Sequence, residues 1–313
     1  MKRRRLLQSL GTAWLGWPLA ARCGTADQKR PRKILFFSRS VLFEHPVVHR
    51  AGQDLSFAEK VFTDLCSRAG MQAECSKDGR LFDGDLEQYA AIVSYSCGTG
   101  ADMLKAQGKD GSPPMSERGL KRLHDAVAGG KPFVAIHPGF LLLPDVVGTG
   151  YIGHGAQQEA TMRVVSPRFP GMQEAGTSFS MMEEWFSLVD FAKDLHVILV
   201  QETAGMKTQE ARDKQCYDRP PFPATWARLH GKARVFYTSM GHREDVWTNP
   251  IFQKILAGGL TWALGDVQAD ITPNIEQVTP RANDRSMQES QSHKGGAHEQ
   301  SKLRERAKED VAT

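Results

Sequence analysis

Cysteine, long apolar runs and positive charge outside the first segment are all scarce in this 313-residue chain. The five cysteines include no CxxC pair, so a zinc ribbon or a thioredoxin-type redox site has no support. The longest apolar stretch, Leu6 to Ala21, is interrupted by Gly11, Gly16 and Pro18, too short and broken for a durable membrane span. The 29 glycines have no fixed period, which excludes collagen and simple repeats. Residues 1–33 hold nine Lys/Arg and one Asp, and the remainder carries 31 Lys/Arg against 35 Asp/Glu, a balance of −4. A nucleic-acid binder shows its basic surface on the folded domain, so no nucleic-acid partner is expected.

What is present begins with a basic start, Lys2-Arg3-Arg4-Arg5, ahead of the short apolar stretch. Arg3-Arg4 followed by Arg5-Leu6-Leu7-Gln8 resembles a twin-arginine export signal. Leu19-Ala20-Ala21-Arg22-Cys23 partly resembles a lipoprotein cleavage site, with Arg22 where a small residue belongs. Residues 1–30 therefore read as an export signal and linker. The expected location is the periplasm or cell envelope, with membrane contact only through the signal or a lipid anchor. At the other end no aromatic residue follows Trp262, and from about Thr272 the chain is rich in Pro, Gln, Ser, Glu, Lys and Arg. Such a composition buries too little apolar surface to offset its ordering entropy. Residues 271–313 read as a disordered polar tail, leaving one domain over 31–270.

Within that domain, buried strands and amphipathic helices alternate. Lys33–Ser38 is a buried strand, Phe57–Leu65 has helical spacing, and Gln72–Ser76 and Tyr89–Tyr95 are strands. Ser116–Ala128 is a helix with Ser116 as its N-cap and Gly129-Gly130 as its stop. The run 131–136 is the next strand, followed later by 197–200, 234–238 and a closing helix 252–264. This rhythm predicts a parallel sheet covered on both faces, whose ligand site lies in the loops after the strands' carboxyl ends.

Four histidines fall at such ends. His45 follows the first strand, His137 ends the strand 131–136, His154 sits in the glycine-rich loop 151–155, and His242 follows the strand 234–238. Glu183-Glu184 precede Trp185 in a further segment. Around His137 the pattern is that of a nucleophile elbow: Ala135 and Gly139 are small, which lets the central side chain project above the sheet. Class I glutamine amidotransferases place cysteine there. A histidine leaves glutamine hydrolysis without its nucleophile, so the protein is not expected to be a glutaminase. A carboxylate beside Trp185 makes Glu184 a tuned acid/base candidate, with Glu183 as a solvated partner. Trp185 and Trp226 are candidate stacking surfaces for a sugar. Three or four imidazoles with a carboxylate suit zinc or another divalent ion, although no HExxH spacing marks such a site.

Several segments together resemble the trehalose-utilisation, or ThuA-like, family over residues 33–265. They are Phe43-Glu44-His45, the block 129–137, Gly153-His154, Glu183-Glu184-Trp185, Pro223-Ala224-Thr225-Trp226, the block 231–242, and Asn249-Pro250-Ile251-Phe252 through Trp262-Ala263. The resemblance implies an α/β flavodoxin-like three-layer sandwich with a mostly parallel central sheet, similar to class I glutamine amidotransferases without the catalytic cysteine. It also implies a small-molecule carbohydrate partner: trehalose, a related disaccharide or a keto-sugar. On this reading His137 and Glu184 exchange protons with the sugar. His45, His154 and His242 orient it or hold a metal, and Trp185 and Trp226 contact it. The alternative is a carbohydrate-binding or accessory protein without chemistry. Glu183, His230, Ala233 and Phe169-Pro170-Gly171 depart from the family's usual residues.

Overall fold

A computed structural model describes residues 31–208 and 210–284. The export-signal reading of residues 1–30 lies outside them, as does the tail reading for 285–313. No described helix is long and apolar enough to cross a membrane.

Eleven strands are described: β1 (Arg32–Phe37), β2 (Met71–Ser76), β3 (Tyr89–Ser94), β4 (Phe133–Ile136), β5 (Gly150–His154), β6 (Gln158–Val164), β7 (Ser178–Glu183), β8 (Phe186–Val189), β9 (His196–Gln201), β10 (Phe222–His230) and β11 (Ala233–Thr238). Nine form one sheet in the order β2-β1-β3-β4-β11-β10-β9-β6-β7. From β2 to β11 every pairing is parallel, and from β11 to β7 every pairing is antiparallel. The parallel part has the flavodoxin order, in which the chain reverses direction across the sheet between β1 and β3.

Side chains along each strand alternate between two cores. Ile34 and Phe36 pack with Phe62 and Leu65 of the helix Phe57–Arg68 and with Ile255 and Leu256 of the helix Pro250–Ala263. Leu35 and Phe37 face the other way, toward Leu123 and Val127 of the helix Glu117–Ala128. Helices thus cover both faces, giving the three-layer α/β sandwich expected from the sequence. Each fully buried Leu or Phe contributes roughly 1.5–3 kcal/mol through removal from water. Local chemistry sets the helix starts. Ser116 accepts from the Gly119 N–H at 2.9 Å, and Ser56 and Glu59 form a reciprocal capping box.

Two expectations change. The first is the start of the tail. Residues 271–284 pack onto the domain: Ile275 and Ala282 are buried, and the Asn274 side chain accepts from the Val197 N–H at 2.6 Å and donates to the Val197 carbonyl at 3.1 Å. Polar side chains replace apolar mass as the anchor there, so composition alone misplaces the boundary. The second is the glycine-rich segment around His154. It is strand β5, which pairs antiparallel with β8 in a separate two-stranded ribbon. Of the four described cysteines, Cys66 and Cys97 are buried free thiols, Cys75 is a half-buried one, and Cys216 is buried.

Candidate functional site

The loops after β1, β4 and β11 converge with the end of β7 above the carboxyl edge of the parallel strands. They bring His45, His137, His242 and Glu184 together, with one donor atom of each within 4.8 Å of all the others. Imidazole centroids are 5.0 Å apart for His45–His137, 5.2 Å for His45–His242 and 5.3 Å for His137–His242. Glu184 Oε2 lies 3.2 Å from His242 Nδ1 and 3.9 Å from His137 Nε2, and Oε1 lies 3.2 Å from His154 Nδ1. The carboxylate therefore faces the buried imidazoles with one oxygen and His154 with the other.

The elbow at His137 is present in the backbone. His137 has φ +50°, an uncommon left-handed conformation for a non-glycine residue. Gly139 passes so close to β3 that an added Cβ would lie 1.9 Å from the Ser94 carbonyl oxygen. β4 and β11 are parallel neighbours whose last paired residues are Ile136 and Thr238. The next residues of each, His137 and Ser239, meet: the ring Nδ1–H donates to the Ser239 carbonyl at 2.8 Å. That bond leaves the Nε2 lone pair facing the cluster.

The elbow does not expose the ring, however. His137 is fully buried, stacked on Phe186 at 4.0 Å between centroids. The β5–β8 ribbon, which the sequence reading lacked, supplies that cover.

Burial governs the electrostatics. It pushes the His45 imidazole down to about 3, with the neighbouring His242 adding to the effect. It also holds His137 well below the ordinary imidazole value, helped by His45 and His242. Both rings are neutral at physiological pH. Burial pushes the Glu184 carboxyl up, but His242, His154 and His45 together outweigh it and hold the group below its ordinary value. Glu183, expected to be a solvated partner, is fully buried instead. Its Oε2 accepts from the N–H groups of Gly241 and His242 at 2.8 and 3.0 Å, and its Oε1 accepts from the Glu184 N–H at 2.8 Å. Burial pushes its carboxyl up to about 7, against the pull of those donors.

A cavity of about 310 Å³ opens onto the cluster, lined by His45, His154, Glu184, Cys97 and Phe186, with Leu42, Phe43 and Tyr151 among its apolar walls. Phe43 and Tyr151 are 52% and 42% exposed. They are the exposed aromatic surfaces of the cavity. Trp185 and Trp226 are not, which corrects the sequence reading. Both are fully buried in the cores, where their indole N–H groups donate to the carbonyls of Gln158 at 3.0 Å and Val147 at 2.9 Å. An indole needs a partner when buried, and backbone carbonyls supply it here. The signal for Phe43 and Tyr151 was adjacency: Phe43 is two residues from His45, and Tyr151 three from His154.

His154, 28% exposed at its side chain, completes the set from the ribbon. Its Nδ1 stands near two acceptors, Glu184 Oε1 at 3.2 Å and the Gly155 carbonyl at 3.1 Å, and near one donor, the Arg212 guanidinium, at 2.6 Å. The Arg212 guanidinium lies 2.8 Å from its Nε2.

The fold and the site define a flavodoxin-like α/β protein whose elbow holds an imidazole, set in an imidazole–carboxylate cluster at the sheet's carboxyl edge. A family model described as ThuA, trehalose utilisation, matches residues 33–263, and the chain belongs to that family. Among solved structures it is similar to a ThuA-like protein from Bacteroides uniformis, with 18% identity, a TM-score of 0.56, and coverage of 75% of this chain and 92% of the other. A ThuA-like protein from Parabacteroides merdae has 14% identity, a TM-score of 0.53, and coverage of 77% and 92%. Among curated proteins no match was found.

Proposed function

We propose that this protein carries out proton-transfer chemistry on a disaccharide or keto-sugar bound in the cavity beside Glu184. Membership of a trehalose-utilisation family puts the chain in carbohydrate metabolism. The observation that carries the finer reading is the pairing of His154 and Glu184 at 3.2 Å in the wall of a cavity that also presents Phe43 and Tyr151. A sugar offers apolar C–H faces to aromatic rings and hydroxyl or carbonyl oxygens to an acid/base group. The cavity's apolar walls and single polar patch match that division.

In this reading His154, half-buried and lining the cavity, exchanges the proton. Glu184 Oε1 holds the ring's orientation at 3.2 Å from its Nδ1. His137, first expected to do this, is buried beneath Phe186 and acts through the cluster instead. The exported location stays part of the proposal and rests on residues 1–30.

The test is a mass-spectrometric screen of the full chain against disaccharides and their 3-keto derivatives, with calorimetry on the same compounds. Turnover of at least one is expected, falling roughly 10²–10⁴-fold in His154→Ala while folding is retained. Saccharide binding without any product over long incubation overturns the catalytic reading, and the absence of any saccharide binding overturns both.

A further inference from the structure

The geometry points to a binding site for one divalent transition-metal ion of the zinc type, held by His45, His137, His242 and Glu184. The inference rests on these four side chains and not on the sugar reading.

Two imidazole nitrogens, His45 Nδ1 and His137 Nε2, are buried without any hydrogen-bond partner, and a third, His242 Nδ1, meets only the Glu184 carboxylate at 3.2 Å. All three residues are more than nine-tenths buried. A desolvated polar atom left unpaired costs about 1–3 kcal/mol, and native proteins rarely leave several in one place. One ring nitrogen of each of these histidines lies within 4.8 Å of the others and of a Glu184 carboxylate oxygen. A bound cation satisfies all of them at once.

The donor set selects the ion. Three imidazoles and one carboxylate are nitrogen-rich, which suits zinc and its first-row neighbours and not calcium or magnesium, which take oxygen. Four ligands about 2.1 Å from a tetrahedral ion stand roughly 3.4 Å apart. Glu184 Oε2 and His242 Nδ1 are already 3.2 Å apart, and His137 Nε2 is 3.9 Å from that oxygen. The cluster closes on an ion with side-chain movements of about 1 Å or less.

An outer layer of the kind metal sites require is in place. His137 donates its other N–H to the Ser239 carbonyl, which directs Nε2 inward. The Gln157 side-chain amide meets His242 Nε2 at 3.1 Å, and Arg243 fixes that amide through Oε1 at 2.7 Å. Glu183 clamps the backbone that carries both His242 and Glu184. Access is provided on the cavity side, where His45 and Glu184 form part of the wall. Among the described residues this is the one cluster with such a donor set. The ligands are 92, 47 and 58 residues apart along the chain, so no local spacing announces them.

The test uses the full chain, stripped with a chelator and then dialysed against zinc, cobalt(II) or manganese(II) ions. Elemental analysis is expected to show one ion per chain, and cobalt(II) loading to give visible d–d bands. His45→Gln and Glu184→Gln are expected to weaken binding on the order of 100-fold, and Gln157→Leu about 10-fold, with circular dichroism unchanged. X-ray absorption of the wild-type zinc protein gives a readout that needs no variant: three nitrogen scatterers near about 2.0–2.1 Å are expected. The inference is overturned if none of the three ions binds stoichiometrically, if a folded His45→Gln protein binds as tightly as wild type, or if the shell is sulfur or oxygen only. Metal bound to a protein that turns over no sugar leaves this inference standing and removes the catalytic reading above.

Discussion

The backbone N–H of His242 donates to Oε2 of Glu183 at 3.0 Å, so a buried carboxylate one residue before Glu184 holds an imidazole of the cluster in place. Glu183 and Glu184 leave the end of β7 in opposite directions. One clamps backbone, and the other faces the site. Glu183 is thus a positioning residue, and the pair divides structural and chemical roles between neighbours in sequence.

Glu183→Gln keeps the shape but offers one acceptor oxygen for N–H groups that now use two. At least one buried N–H loses its partner, and stability is expected to fall by about 1–3 kcal/mol. Urea unfolding of the variant measures the loss. Unchanged stability would show that the clamp carries no load in the folded state.

Glu59 makes a similar clamp beneath the loop that bears His45. It receives two guanidinium N–H groups of Arg50, from Nε and Nη2, at 2.7 Å each, the Ser56 N–H at 2.8 Å and the Ser38 hydroxyl at 3.1 Å. Burial pushes its carboxyl up, but these donors outweigh burial and hold it below its ordinary value of 4.5. A carboxyl depressed in the folded state adds stability above its unfolded value, and that stability is lost as pH falls through the folded value. Glu59→Gln is expected to cost about 2–4 kcal/mol at pH 7. The gap from wild type should shrink steadily in urea titrations taken below about pH 4.5. A gap independent of pH rejects the charged form as the cause.

Phe43→Ala and Tyr151→Ala are expected to weaken saccharide binding about 3- to 10-fold each, from lost ring contact of about 0.5–1.5 kcal/mol. Trp185→Phe and Trp226→Phe should leave affinity unchanged yet lower stability by about 1–3 kcal/mol, because each leaves a buried carbonyl unpaired. Calorimetry with a binding saccharide and thermal unfolding separate the two groups. The reverse pattern, with affinity lost only in the tryptophan variants, restores the sugar-stacking role first read from sequence.

Gly139→Ala places a methyl group 1.9 Å from the Ser94 carbonyl oxygen, and the contact is backbone, which cannot rotate away. A loss of at least about 3 kcal/mol is expected, with soluble yield falling in parallel. Wild-type melting in this variant would show that the elbow is less tightly packed against β3 than the geometry implies.

Asn274→Ala tests the packed stretch beyond residue 270. Its side chain pairs with both backbone groups of Val197. Stability should fall by about 1–3 kcal/mol, and hydrogen exchange at Val197 should accelerate. If neither changes, residues 271–284 behave as tail despite their contacts.

Much of the parallel half was legible because its signals are local. Continuous apolar runs such as 34–37 and 133–136 mark strands buried on both faces, and the Ser116 cap and the glycines after Ala128 mark helix ends. Histidines at strand ends then point to the carboxyl edge by the geometry of parallel sheets alone. The antiparallel half and the β5–β8 ribbon left weaker marks. Strand β10 contains Pro223, and β5 is rich in glycine, so neither fits a buried-strand pattern.

By itself, then, the amino-acid order determined the strand and helix succession of the parallel half, the edge at which polar groups gather and the elbow at His137. Each of these follows from periodicity, capping or turn chemistry within a few residues. Only the tertiary structure decided that Glu183 clamps while Glu184 faces the imidazoles, that Phe43 and Tyr151 replace the tryptophans at the cavity, and that the β5–β8 ribbon covers His137. These outcomes depend on pairings such as Gly150 with Val189 and His242 with Glu183. Residues so far apart in sequence meet only when the strand order closes the sheet, and no local pattern encodes that order.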